Sequence, residues 1–451
     1  MKFNERRGLA GVMLLGTLLL PVLAPAETYT LEQAVKYALD HNPALPASRQ
    51  PIQTAAAARQ LASLGDQPTL ALRYSGAYAD DPLDAFAAKL KTRSVTTEDF
   101  APDLLNDPGT SSLFAGSLVL NYPLYTGGRT SLEVERFAQL EGAAGFAHDR
   151  QSQQVIADTV RAYRAVQAAE AGVVIARDAR AAAEEHVKTT RKLVREARTV
   201  PSDQLTAEVN LSAYRAMVEQ AEGRLKQGVN ALELAMGLPA GAMPQVAPIP
   251  APTGEFALDE VSRHEQKALG ARADLQALRA QLASAEKAVA AAQTASKPRV
   301  DLVADTSLYE DDPLVNEFSW KVMGVVSWDL YNGGRVGSEV AVARSRADEI
   351  HARIPALESR IRGEVREAHA AATEAASRMR AAAGSVATAR RNVALVKERY
   401  GQGRTILIDL LGADRGLVES RNEELAALHA WLAARARLVA ADGSLSVETL
   451  P

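Results

Sequence analysis

Apolar and polar residues alternate in four separate stretches of this chain. Phe318, Trp320, Val322, Val326 and Trp328 fall on alternate positions, with Gly324 among them. Ser319, Lys321, Met323, Val325, Ser327 and Asp329 fill the gaps between them. Val300, Leu302, Ala304 and Leu308 alternate likewise with Asp301, Val303, Asp305 and Ser307. Leu70, Leu72, Tyr74 and Tyr78 make a third row, and Leu118, Leu120, Tyr122 and Leu124 a fourth. A period of two predicts strands with one apolar face, near 68–79, 112–125, 298–309 and 317–329. Between them run long Ala-rich stretches punctuated by charge. These predict helices over 31–64, 129–198, 203–236, 257–296, 335–400 and 408–441. At 1.5 Å per residue the 129–198 helix is on the order of 100 Å long. Thr30 with Gln33 predicts a capped start to the first helix. Residues 80–112, rich in Asp, Pro, Ser and Thr, read as a long loop.

The chain also repeats itself. Pro123-Leu124-Tyr125-Thr126-Gly127-Gly128-Arg129 matches Asp329-Leu330-Tyr331-Asn332-Gly333-Gly334-Arg335 at an offset of 206 residues. The same offset sets Arg198, Thr199, Asp203 and Leu205 on Arg404, Thr405, Asp409 and Leu411 without a gap. A constant offset over this distance means that two rods of equal length follow the two strand pairs. Upstream, Asp80-Asp81-Pro82-Leu83 recurs as Asp311-Asp312-Pro313-Leu314 at an offset of 231, so the first half carries about 25 extra residues. The expected organisation is a signal segment (1–26), a first repeat (27–238), a Pro-rich linker (239–256), a second repeat (257–442) and a tail (443–451).

The N-terminus sets the compartment. Lys2, Arg6 and Arg7 precede an apolar run from Gly8 to Leu20, and Ala24-Pro25-Ala26 supplies small residues for cleavage before Glu27. This is the pattern of a cleaved secretory signal. The run is shorter than the roughly 20 residues of a transmembrane helix. There is no Cys, so no lipoprotein anchor, disulfide or thiolate metal site is expected. Cleavage removes three basic residues and one acidic one. The charge moves from −4 (51 basic, 55 acidic) to −6 (48 against 54), which argues against nucleic acid as a partner.

Two settings suit such strands. One is a soluble antiparallel sheet with one buried face. The other is an outer-membrane barrel with aromatic edges, and export together with the very long helices favours it. Four strands cannot close a barrel, and open edges in lipid leave backbone groups unsatisfied. Several copies must then share one wall: two give eight strands and three give twelve. The rival function is a soluble periplasmic coiled-coil adaptor or scaffold. An enzyme is not expected. The seven His residues are dispersed, with no pair at helical ligand spacing, and no His-Glu-x-x-His, Gly-x-Ser-x-Gly or phosphate-loop motif occurs. No catalytic, metal or cofactor site is expected.

Several motifs together resemble the TolC family of outer-membrane efflux proteins. They are Tyr29-Thr30-Leu31-Glu32-Gln33-Ala34-Val35 with Asn42-Pro43-Ala44-Leu45, the two Leu-Tyr-x-Gly-Gly-Arg elbows, and Tyr400-Gly401-Gln402-Gly403-Arg404-Thr405 with Asp409-Leu410-Leu411. The resemblance covers nearly the whole chain after the signal. It implies an α+β membrane protein: a trimeric twelve-stranded β-barrel, four strands per protomer, continued by a long α-helical periplasmic barrel. It also implies a passive exit duct in the bacterial outer membrane that extends into the periplasm. Its partners would be a periplasmic adaptor and an inner-membrane transporter. The elbow residues would be Pro123, Gly127, Gly128, Gly333 and Gly334, since Gly tolerates the dihedrals of an abrupt strand-to-helix turn. Tyr74, Tyr122, Phe318, Trp320 and Trp328 would face outer-membrane lipid. A periplasmic gate would use Asp409 and Asp203, with Tyr400, Arg404 and Thr405 beside them. Departures are Gly412, where the family often has a second acidic residue, and Arg404, displaced by one position. A plainer role for Asp203 and Asp409 is capping the helices that follow them.

Overall fold

The computed structural model describes residues 28–249, 256–310 and 317–450. The signal segment, part of the linker and the Asp311-Asp312-Pro313-Leu314 match lie outside the described residues. A short strand β1 (Thr28–Tyr29) leads into helices α1 (Leu31–His41) and α2 (Ala44–Ser63). Strand β2 (Thr69–Ala79) and strand β3 (Ser111–Tyr125) flank α3 (Pro82–Lys91) and α4 (Pro102–Asn106). Helix α5 (Arg129–Arg195) runs unbroken for 67 residues and returns as α6 (Pro201–Met236). After β4 (Gln245–Val246) the second half repeats the order: α7 (Val261–Ala271), α8 (Ala273–Gln293), β5 (Arg299–Glu310), β6 (Glu317–Ser327), α9 (Arg335–Ala382), α10 (Ser385–Gly401) and α11 (Leu407–Ala441).

Three predicted helices are each split in two. The 31–64 helix breaks at Asn42, held extended (φ −67°, ψ 123°) ahead of Pro43, whose ring disfavours a helical preceding residue. The 257–296 helix breaks at Arg272 (φ −65°, ψ 121°), where no proline signals the break. There a buried guanidinium reaches Asp274 at 2.6 Å and Glu364 at 2.5 Å. The 335–400 helix is interrupted at Ala383–Gly384. The capping box at Thr30 is present: Gln33 N donates to Thr30 Oγ1 (3.2 Å), and Thr30 N to Gln33 Oε1 (2.8 Å).

The 80–112 segment is folded rather than a plain loop. Asp81 Oδ1 accepts from Leu83 N and Asp84 N and starts α3. Lys89 reaches Asp99 at 2.5 Å, and Thr96 N donates to the same carboxylate at 2.7 Å. The Lys89 hydrogen bond is the chief cause that lowers the Asp99 pKa to about 2. Phe86 and Phe100 meet edge to face at 5.6 Å. The segment meets the sheet at the adjoining ends of its last two strands, with Lys91 over the Tyr309 ring and Arg93 3.4 Å from Glu317.

Several buried clusters hold the helices in place. Near the chain start, β1 pairs in parallel with β4, and the Tyr163 hydroxyl donates to Tyr29 O while accepting from Ala247 N. Asn42 Nδ2 donates to Ala235 O at 2.8 Å, which fixes the α1–α2 break against the end of α6. At the far ends of the long helices, Val187, Leu193, Leu211, Tyr400, Leu407 and Leu410 form a second buried cluster. Ala fills many of the remaining contacts, such as Ala368, Ala372 and Ala376 beside Trp431. Small side chains let backbones approach closely, which explains a protein of this length with few aromatic residues.

Candidate functional site

The four long strands form one antiparallel sheet in the order β2-β3-β5-β6. Its register decides which side chains share a face. Leu70 lies opposite Leu120, and Leu72 opposite Leu118. Leu120 in turn faces Ala304, and Tyr122 faces Leu302. Val300 faces Val326, Ala304 faces Val322, Thr306 faces Trp320 and Leu308 faces Phe318. All four apolar rows therefore fall on one side, with Tyr74 and Tyr122 among them. Arg73, Ser75, Ser117, Asp301, Asp305, Ser307, Ser319 and Lys321 take the other side.

No helix of the described residues covers the apolar side. Leu72 is 76% exposed, Trp320 72% and Val326 69%. Burying surface of this kind is the main source of folding free energy, at ~25 cal/mol per Å². The described residues of one copy thus do not bury this face themselves. Among the described residues, β2 and β6 pair on one edge only. No helix of the described residues is long and apolar enough to cross a membrane.

Two details of the rows differ from the alternation. Pro123 pairs with Asp301 and Tyr125 with Val300, so Leu124 is the extra residue of a bulge and not a member of the row. A bulge is also where a strand accommodates Pro, which lacks the N–H for the ladder. Trp328 stands one residue beyond β6, where its indole N–H donates to Ser296 O at 3.0 Å.

The two elbows have the same geometry. Gly127 and Gly128 have φ of 70° and 85°, and Gly333 and Gly334 have 64° and 83°. In each, the Arg N donates three residues back along the turn at 3.2 Å: Arg129 to Thr126 O, and Arg335 to Asn332 O. Two positive φ angles inside a closed four-residue turn suit Gly alone without strain. A Cβ on Gly127 would also press on Lys297 Cβ at 3.1 Å, whereas Gly333 has open space around it.

The two tips where the long helices turn are also alike. Thr199 donates to the Asp203 carboxylate, and Thr405 donates to Asp409 at 2.5 Å. Neither Asp is the cap residue. Val200 and Ile406 occupy the caps, and each Asp stands three residues inside, in the first turn. The expected capping role is therefore replaced by a carboxylate near the positive end of a helix dipole. Tyr400 is buried and shares a hydrogen bond with Thr190 across the tips, at 3.1 Å. Burial raises its pKa, and Asp203 adds to that. Thus Tyr400, Asp203 and the Thr405–Asp409 pair occupy one region. Arg404 is exposed, and its side chain makes no hydrogen bond or ion pair among the described residues. Arg198, its counterpart at the 206-residue offset, instead donates to Gly401 O at 3.4 Å and links the tips. The offset alone could have pointed to Arg198. Below the tips a buried His186 contacts Asp414, joining α5 to α11. Nothing in the dispersed His pattern signalled this pair.

The model of the family described as outer membrane efflux protein matches residues 34–238 and 265–444. Comparison with curated proteins gives no match. Among solved structures the fold is similar to that of CusC, described as forming a transmembrane channel. The TM-score is 0.78 at 19% identity over 92% of each chain. It is similar to the CmeC outer membrane channel of Campylobacter jejuni, with TM-score 0.74, 18% identity and cover of 92% of this chain and 85% of that one. It is similar also to the outer membrane protein VceC of Vibrio cholerae, with 0.73, 17%, and 92% and 96%. At these identities the solved structures speak for the fold, and the family match speaks for kinship. The chain belongs to the family of outer membrane efflux proteins, channels of the outer membrane.

Proposed function

We propose that three copies of this chain close one twelve-stranded barrel and one helical tunnel. Together they form the exit duct of a tripartite export system. The observation that carries this is the uncovered apolar side of a four-stranded sheet with two free edges. Lipid is the surrounding that such a side suits, and a neighbouring copy is what such an edge requires. An eight-stranded barrel is just wide enough for its own side chains, so a duct for cargo needs more than two copies. Tyr74, Tyr122, Phe318 and Trp320 then face lipid, with Trp328 at the periplasmic border. The two glycine elbows turn the wall from barrel to tunnel in each half. A soluble adaptor or scaffold would have no use for exposed Leu, Trp and Phe on this side.

The register inside the chain supports one register between copies. Leu118 faces Thr306. Leu118 corresponds to Gly324 at the 206-residue offset, and Thr306 to Gly76 when Gln67-Pro68 is set on Lys297-Pro298. Carried over, β6 of one copy lies beside β2 of the next, with Gly324 opposite Gly76 and Val325 opposite Ser75. Facing residues of antiparallel strands are about 4.5–5.5 Å apart at Cα, within disulfide range. The chain has no Cys of its own. Ser75→Cys with Val325→Cys is expected to give a reducible ladder ending at three copies on denaturing gels. Tyr74→Cys with Val325→Cys, on opposite faces, should give almost none. A ladder ending at two, or equal yields for both pairs, contradicts the arrangement.

The periplasmic end of the duct is closed at the helix tips. Threefold symmetry gathers Asp409 and Asp203 near one axis, where like charges repel each other and attract cations. Thr405, Tyr400 and Arg404 surround them, although Gly412 adds no second acid. Exposed Val200, Leu205, Ile406 and Ile408 at these tips give an adaptor an apolar surface to grip. The adaptor in turn links the duct to an inner-membrane transporter that supplies the energy. Removing each first-turn acid costs only ~0.3–1 kcal/mol in helix-dipole energy. Asp203→Ala with Asp409→Ala is therefore expected to fold, but to raise closed-state conductance and weaken block by divalent cations in planar bilayers. Currents identical to those of the parent would remove the gate from these residues.

A further inference from the structure

The helical wall holds a cavity of about 690 Å³ between α5, α9 and α11. Its size lies within the range of small-molecule sites, roughly 300–1,000 Å³. The lining combines alanines and charged side chains with Gln153, Gln154 and Val160. Alanines of α5 and α11, including Ala157, Ala433, Ala436 and Ala440, make a flat apolar floor. Arg150, Arg161, Arg164 and Arg437 stand around it with His429, and Glu364 is the one acidic side chain in the lining. Glu364 is already engaged, at 2.5 Å from Arg272 and 3.2 Å from Arg360. Arg161 pairs with Asp158 at 3.0 Å and Arg437 with Glu367 at 2.7 Å, and these four side chains are largely exposed.

Of these cations Arg164 is the enclosed one, and its guanidinium donates to Gln167 Oε1 at 2.9 Å. Arg164 is only 7% exposed. Burial lowers its pKa, Tyr163 partly offsets this and Arg435 adds to it, while burial with Arg164 lowers that of His429. Both directions reflect chiefly the poor solvation of a buried cation, with a neighbouring cation as a lesser cause. A bound anion would offset this, because guanidinium groups hold carboxylates and sulfonates through charge-assisted hydrogen bonds. The alanine floor would receive an apolar body, which an inorganic ion does not have.

We infer that this cavity is a binding site for an amphiphilic organic anion, with its charged group on the arginines and its apolar body on the alanine floor. The site lies apart from the tips, so it does not depend on how they are gated. It is tested by calorimetric titration of the purified, assembled protein with 1-naphthoate. Uncharged 1-naphthalenemethanol and inorganic phosphate serve as comparison probes. Saturable binding of naphthoate, about one per chain, is expected, with affinity falling as salt rises. Arg161→Gln with Arg164→Gln should weaken it about tenfold or more, the scale of one lost charge-assisted bond. Ala433→Leu, which fills the floor and leaves every charge in place, should weaken it similarly while the melting temperature stays near that of the parent. Equal binding by the parent and both variants would overturn the site. Naphthalenemethanol binding as tightly as naphthoate would show simple partitioning into apolar surface and would also overturn it. Phosphate binding more tightly than naphthoate would overturn the amphiphilic class.

Discussion

Val322→Lys is expected to deplete assembled protein from the outer-membrane fraction. Val322 lies in the middle of β6, opposite Ala304 and on the uncovered apolar side. A cation on the lipid side of a barrel costs ~2–4 kcal/mol at the bilayer midplane and less near the interfaces. Three copies would each carry that cost. Against a typical stability of 5–15 kcal/mol per domain, such a burden is severe. Trp320→Lys, nearer the strand end, should do less harm. Ser319→Lys, on the polar side, should be nearly silent. The measurement is heat-modifiable migration of the membrane fraction on gels. If Val322→Lys and Ser319→Lys gave the same oligomer yield, the assignment of the two sides would be wrong.

Gly237→Ala should destabilise the chain by about 3 kcal/mol, combining a left-handed backbone penalty with overpacking. Gly237 closes α6 at φ 74°, and Leu238 N returns to Glu233 O at 2.9 Å. This is the glycine-dependent ending of a helix. An added Cβ would come within 2.7 Å of His41 O and 3.0 Å of Asn42 Cα, both backbone atoms with little room to move. Gly223, inside the same helix with nothing within 4 Å, gives the contrast. There Ala should stabilise by up to ~1 kcal/mol, since Gly is the poorer helix former. Thermal unfolding followed by circular dichroism separates the two. A Gly237→Ala melt unchanged from the parent would mean that α6 and the α1–α2 break do not meet as described.

Local patterns in the chain were enough to locate most elements. Alternation of apolar and polar residues placed all four strands to within about two residues, because the pleat forces side chains to opposite faces. Leu124 and Trp328 departed from the rows where a bulge and a strand end intervened. Proline explained the break after Asn42, whereas the break at Arg272, which pairs with Glu364 92 residues away, carries no such local signal. Residues 80–112 looked like loop because their helices are short, and their order depends on Lys89 meeting Asp99 and Phe86 meeting Phe100.

The sequence by itself determined the order of strands and helices, the paired glycine elbows and the equal length of the two rods. These follow from periodicity and from residues with special backbone freedom, both properties of neighbours along the chain. Only the tertiary structure decided that the four apolar rows share one uncovered side, because strand pairing joins residues almost 190 positions apart, such as Leu118 and Thr306. It also decided that Arg198 rather than Arg404 bridges the tips, that Asn42 meets Ala235, and that His186 meets Asp414. Contacts between distant segments depend on how whole helices lie against each other, and no local pattern encodes that.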